Sequence, residues 1–281
     1  MLWDMDVKRL APVPDIRTEA VAAKLSVSGV SHRFGSQTEG VLAISDFSLD
    51  IRPGSFVSII GQSGCGKSTL FNILAGLLPP SSGRITLDEA DITGQAGMVS
   101  YMLQKDLLLP WRTVLDNVIF GMEIQGVSKP EARARAVPFL ERYGLGGFAD
   151  SYPGMLSGGM RQRAALLRTL LCNKEVILLD EPFGALDAQT RLRMQAWLLT
   201  LWRDFGLTVL FITHDVDEAI YLSDEIVVLS PRPGRIRETL LVDLHRPRGR
   251  EIVTDPRFAA LKAHCLALLF EGEAAGQGAL P

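Results

Sequence analysis

The chain has 281 residues, 47% hydrophobic and 22% charged, enough to bury the core of one large domain or of one core with an inserted subdomain. A net charge of −3 gives no global pull toward nucleic acid, and three widely spaced cysteines (Cys65, Cys172, Cys265) show no metal-ligand spacing, which fits a reducing cytoplasm. No apolar run approaches the about 18–20 residues of a membrane span, and the amino-terminal stretch, with Asp4 and Asp6, lacks the apolar core of a signal peptide. A membrane role would have to come through another chain.

Residues 1–22, with Pro12 and Pro14, read as an N-terminal extension. Alternation through Leu25, Val27 and Val30 predicts an antiparallel strand ending near Phe34. A second runs from Ala43 to Ile51 and turns at Arg52-Pro53-Gly54. The short apolar run Ser55–Ile60 is expected of a buried parallel strand. It leads into Gly61-Gln62-Ser63-Gly64-Cys65-Gly66-Lys67-Ser68-Thr69, which fits the phosphate-loop pattern G-x-x-x-x-G-K-[ST], and a helix is predicted to follow to Leu77. The glycines let the backbone wrap an anion, and the helix dipole favours negative charge there. Lys67 would reach the β/γ-phosphates and the Ser68 hydroxyl would hold Mg²⁺. The motif implies a bound nucleoside triphosphate.

Gly83–Leu87 reads as another short strand, and residues 106–165 change character to a mostly helical insertion. Within it, Pro130 opens a helix that stops at Gly144. Ser157 is an N-cap before Gly158 and Gly159, at the mouth of a helix running to about Leu171. Those bare amides suit a second anion, although Ser-Gly-Gly is equally a good cap. Glu175–Leu179 is a buried strand that delivers Asp180 and Glu181 to its carboxyl end, where ligands of α/β sheets bind. Asp180 would hold the Mg²⁺ shell and Glu181 would act on the attacking water. Asp187 caps a long amphipathic helix carrying Leu192, Leu199 and Trp202 and closed by Gly206. Strands at Thr208–Thr213 and Glu225–Leu229 follow, with His214 just past the first of them. Strand–helix alternation predicts a largely parallel sheet covered on both faces. The arginines of the tail (Arg232, Arg235, Arg237, Arg246, Arg248, Arg250) lack interleaved aromatics and read as a solvated edge.

Taken in order, these segments resemble the ATP-binding-cassette (ABC) family over about residues 24–240. Gly61–Thr69 matches Walker A, Gln104 the Q-loop, Leu156–Gln162 the signature, and Val176–Glu181 Walker B. Gly184-Ala185-Leu186-Asp187 matches the D-loop and His214 the switch histidine. Met160 stands where many cassettes have glutamine, and Tyr152-Pro153-Gly154-Met155 departs from close relatives before the signature. The resemblance implies an α/β fold: a P-loop NTPase (RecA-like) core with an antiparallel β subdomain and the helical insertion, over residues 23–245, then a tail over 246–281.

It also implies ATP and Mg²⁺ as cofactors, with Gln104 joining Ser68 and Asp180 at the metal. Glu181, His214, Lys67 and Gln104 would be catalytic. Phe34 would stack on adenine, and Ser157, Gly158, Gly159 and Asp187 would meet a nucleotide bound to a second copy in a head-to-tail dimer. Hydrolysis would drive transmembrane permease subunits from the cytoplasmic face of the membrane, with a solute-binding protein as an indirect partner and no nucleic acid. The stretches Leu109–Val118 and Ser230–Ile236 resemble importers for nitrate, aliphatic sulfonates and taurine. Leu107–Trp111 is apolar enough to dock a permease helix or to be subdomain core. A soluble cassette of translation or DNA repair usually has tandem cassettes or long coiled-coil insertions. A small GTPase would need Asn-Lys-x-Asp, absent here because Glu175-Val176 follows Asn173-Lys174. A P-loop kinase would not need Leu156–Gly159.

Overall fold

The structure, a computed structural model, describes residues 22–36 and 40–270, so nearly all of the predicted N-terminal extension lies outside the described residues. These residues form two compact units, one of 98–207 and one of 22–97 with 208–270.

In the second unit, β1 (Leu25–Phe34) and β2 (Val41–Ile51) pair antiparallel. With β4 (Ser82–Leu87) and β5 (Ala90–Asp91) they make a four-stranded sheet in the order β2-β1-β4-β5. Alternation in β1 turns Leu25 and Val27 into the core, and a break in register between Val27 and Val30, where Gly29 has φ +61°, shifts the phase so that Val30 is buried as well. A second sheet is built on β3 (Phe56–Ile60), every residue of which is buried. It pairs parallel with β8 (Thr208–Ile212) on one side and β9 (Glu225–Leu229) on the other, and β10 (Ile236–Leu241) joins β9 antiparallel. Burial on both faces explains why β3 and β8 read as nearly continuous apolar runs, interrupted only by the buried Ser58 and Thr208. Helices α1 (Lys67–Leu74), α7 (Val216–Leu222) and α8 (Pro256–Phe270) complete the unit.

In the first unit, β6 (Ser100–Met102) pairs parallel with β7 (Val176–Asp180). Between them lie α2 (Val114–Val118), α3 (Phe120–Ile124), α4 (Lys129–Arg142) and α5 (Gly158–Leu170), and α6 (Ala188–Phe205) follows β7. Asp187 caps α6 by accepting from the Thr190 amide at 3.0 Å, and Gly206 ends it at φ +59°. The buried face of α6 is Met194, Gln195, Leu198, Leu201 and Trp202, whereas the expected Leu192 is exposed. The buried residues fall at i, i+1, i+4, i+7 and i+8, and Leu192 lies off that stripe.

The arginine-rich tail is not simply a solvated edge. Arg248 is buried, and its guanidinium donates to the carbonyls of Ile220, Tyr221 and Ser223 at 3.0, 3.0 and 2.6 Å. It also reaches the carbonyls of Val242 and Leu244 at 3.4 Å each. The last carbonyls of a helix lack partners within it, so Arg248 caps the C-terminal end of α7. Burial, with the neighbouring Arg246 charge, pulls the Arg248 pKa down to about 9, which still leaves it a cation at neutral pH. Arg246 in turn pairs with Asp224 at 2.8 Å. Composition hid this role because a buried arginine looks no different in sequence from an exposed one.

Candidate active site

The phosphate loop follows the carboxyl end of β3 and opens α1. Gly66 is the N-cap of α1 at φ +108°, and a Cβ there would lie 2.8 Å from the Ala43 carbonyl and 2.7 Å from Ile44 Cδ1. Only glycine fits a left-handed backbone packed that closely. No side chain caps the helix, so its first amides are left for an external acceptor. Lys67 is buried and folded back on the loop, with Nζ 2.7 Å from the Gly61 carbonyl and 3.0 Å from that of Gln62. Cys65 is buried beside it, while Ser63, Gly64 and Ser68 are exposed and Thr69 is half-buried.

The loop is also held from outside. Arg232 Nε donates to the Gly64 carbonyl at 3.2 Å, and Gly234 packs so close to Cys65 that a Cβ would stand 2.2 Å from its carbonyl oxygen. The Gly234 amide donates to Ala43, and its carbonyl accepts from Ser45. Nothing in the local pattern around Arg232 points to the phosphate loop, 168 residues earlier. In the same unit His214 is exposed just past β8, in the turn before α7, which Asp215 caps by accepting from the Glu218 amide at 3.2 Å. Phe34 ends β1 with its ring exposed and set edge-on to His32, centroids 4.5 Å apart.

In the other unit, β7 delivers Asp180 and Glu181 as expected. Asp180 is buried and accepts from the Tyr101 phenol at 3.4 Å. Burial, and then the Asp180 charge, push the Tyr101 pKa above its ordinary value, so the phenol remains a donor. Nothing in the sequence marks Tyr101, which looks like one more residue of a short apolar strand. Glu181 adopts φ +44°, a left-handed conformation that costs a non-glycine residue about 1 kcal/mol or more. A turn fixes it there, with the Gly184 amide donating to the Glu181 carbonyl at 3.2 Å. Gln104 Nε2 donates to Glu181 Oε2 at 3.2 Å, so two residues 77 positions apart meet at the ends of neighbouring parallel strands.

Ser157 caps α5, its hydroxyl accepting from the Met160 amide at 3.4 Å. A Cβ on the buried Gly159 would stand 2.8 Å from Thr190 Cγ2. A Cβ on Gly158 would make only ordinary van der Waals contact, with Leu186 Cδ2 at 3.7 Å and Arg161 Nη2 at 3.9 Å. The long cap bond predicts that Ser157→Ala lowers stability by no more than about 1 kcal/mol, measured by urea unfolding. A larger loss would mean that the hydroxyl has structural partners beyond the cap. The apolar segment before α2 is only partly subdomain core. Leu108 is buried as subdomain core, whereas Leu107 and Trp111 are exposed, Trp111 to 72%. Arg168 holds its backbone through the carbonyls of Leu107 and Asp106, at 2.7 and 2.5 Å.

A β-strand, glycine loop and helix carrying Lys67, with two carboxylates at the end of a second buried parallel strand, define the P-loop NTPase class of α/β fold. Residues 44–184 match the model of the ABC transporter family. The chain is 45% identical to an uncharacterised ABC transporter ATP-binding protein of Methanocaldococcus jannaschii, over 83% of this chain and 88% of that one. It is 43% identical to the taurine import ATP-binding protein TauB of Yersinia pseudotuberculosis, over 88% and 97%. Among solved structures it resembles a dimeric bacterial ABC transporter cassette, with TM-score 0.69 and 30% identity, covering 79% of this chain and 100% of that one. It matches equally well the post-hydrolysis state of such a cassette bound to ADP and Pi. The chain belongs to the ABC transporter family, and its enzymatic class is that of the ABC ATPases.

Proposed function

We propose that this chain is the ATP-hydrolysing subunit of an importer for a small anionic or zwitterionic solute of the nitrate, sulfonate or taurine type. The observation that carries the catalytic part is the hydrogen bond between Gln104 and Glu181 at the end of β7. Similarity to taurine import proteins over most of both chains supports the transport part. In this reading the amides of Gly61–Thr69 bind the phosphates and Lys67 swings from the Gly61 and Gln62 carbonyls onto the β/γ-phosphates. Phe34 stacks on the adenine. Glu181 polarises the attacking water, Gln104 holds that carboxylate in place, and His214 reads the γ-phosphate.

An exposed hydroxyl (Ser68), a buried carboxylate (Asp180) and an amide oxygen (Gln104) are hard oxygen donors, the set that suits Mg²⁺ held jointly with phosphates. When bound, the ion neutralises charge on the transferred phosphoryl group. Two copies pair head to tail, and the Ser157–Gly159 amides with Asp187 serve the nucleotide of the other copy. The similarity to a dimeric cassette supports that pairing.

No described helix is long and apolar enough to cross a membrane. In this reading transport runs through separate permease subunits, with this chain peripheral at the cytoplasmic face and the exposed Leu107 and Trp111 as the docking surface. In this reading the ATPase domain spans 23–245, with its helical subdomain over about 106–165, and the segment from 246 is a C-terminal extension that packs onto it through Arg248 and α8. The test is purification of tagged chain from its native membranes in mild detergent. A polytopic membrane protein should come with it in a two-to-two ratio and be lost in Trp111→Glu. Recovery only from the soluble fraction, on ribosomes or DNA, would overturn the importer reading and leave a cassette ATPase of another kind.

A further inference from the structure

The second residue of the phosphate loop makes a bond that ATP chemistry does not require. Gln62 Nε2 donates to the carbonyl of Leu269 at 2.9 Å, 207 residues away. Leu269 is the penultimate residue of α8, and the last carbonyls of a helix have no partner within it. The Leu268 carbonyl accepts from Arg237 of β10, a cation suited to that end of the helix dipole. The end of α8 is thus fastened to the sheet by Arg237 and to the phosphate loop by Gln62. The rest of α8 is seated firmly: Phe258, Cys265 and Leu268 are buried. Lys262 Nζ lies 2.7 Å from Asp217 of α7, and His264 Nε2 3.0 Å from Glu238 of β10.

Gln62 also faces inward through its backbone, because its carbonyl accepts from Lys67 Nζ at 3.0 Å. One residue therefore joins the C-terminal helix to the lysine meant for the phosphates. We propose that α8 is a positioning element of the nucleotide site: the Leu269 carbonyl holds Gln62, and Gln62 sets the path of the loop that places Lys67. This inference rests on the loop binding ATP. If α8 orders the loop for nucleotide, linkage requires that nucleotide order the end of α8 to the same degree.

The experiment is a cycle of ATP affinities, read by displacement of a fluorescent ATP analogue. It compares the full chain, a chain ending at Phe270 and a chain ending at Leu266, each with Gln62 and with Gln62→Met. Ending at Phe270 should change nothing. Ending at Leu266 should weaken ATP by about tenfold, Gln62→Met by a similar factor, and both together by no more than either, as expected of one shared coupling. Losses that multiply, or a Leu266 chain with full affinity, would overturn the proposal. Hydrogen exchange on the full chain gives an arm that does not depend on the shortened chain folding. ATP should slow exchange at residues 266–270 with Gln62 present and leave it unchanged in Gln62→Met; equal protection in both would overturn the proposal. A full chain that binds no ATP would instead overturn the nucleotide reading itself.

Discussion

Replacing Glu181 by glutamine is expected to lower ATP turnover by about 10²–10⁴-fold while ATP affinity stays within about threefold. The amide keeps an oxygen where the Gln104 Nε2 bond ends, so the local hydrogen bond survives the change. Backbone geometry also survives, since the left-handed φ of +44° is fixed by the turn to Gly184 and not by the carboxylate. What disappears is the negative charge proposed to polarise water, and under that proposal the loss falls on the chemical step alone. Phosphate release and equilibrium ATP binding separate the two effects. Size-exclusion chromatography with ATP should also show the variant held as a dimer, because the step that separates the copies is blocked. Near-normal turnover in Glu181→Gln would remove Glu181 from its role. Gln104→Ala should act in the same direction but more mildly, since it frees the carboxylate without discharging it.

The second large effect is on stability. Arg248→Ala is expected to cost about 3–5 kcal/mol, because it strips the donor from several buried carbonyls at once. For a chain of this size that corresponds to a fall in Tm on the order of 10 °C. Arg248→Lys should recover only part of it, since an ammonium carries three donors and lacks the planar fork that spans carbonyls from α7 and from the strand end near Val242. Urea unfolding of the three chains decides this; a loss below about 1 kcal/mol in Arg248→Ala would mean that water takes over the carbonyls without cost. The effect should spread to activity as well, because α7 begins directly after His214 and Asp215.

Much of the fold was legible because its signals are local. The caps at Ser157, Asp187 and Gly206 act within a few residues, so spacing alone reveals them. The buried strands β3, β7 and β8 show as nearly continuous apolar runs because both faces of a parallel sheet are covered. The orientation of α6 was less legible: Leu192 and Leu199 share its sequence with Met194 and Leu198, and only packing chose which stripe to bury.

Sequence by itself determined the phosphate loop, the paired carboxylates at the end of β7 and the capped glycines of α5, since each needs only residue types at fixed short spacing. Tertiary structure decided the partners. It joined Gln104 to Glu181, Tyr101 to Asp180, Arg232 and Leu269 to the phosphate loop, and buried Arg248 among the carbonyls at the end of α7. Such bonds link side chains to groups tens or hundreds of residues away, often to a backbone carbonyl that every residue carries. An acceptor common to all residues leaves no mark in a sequence.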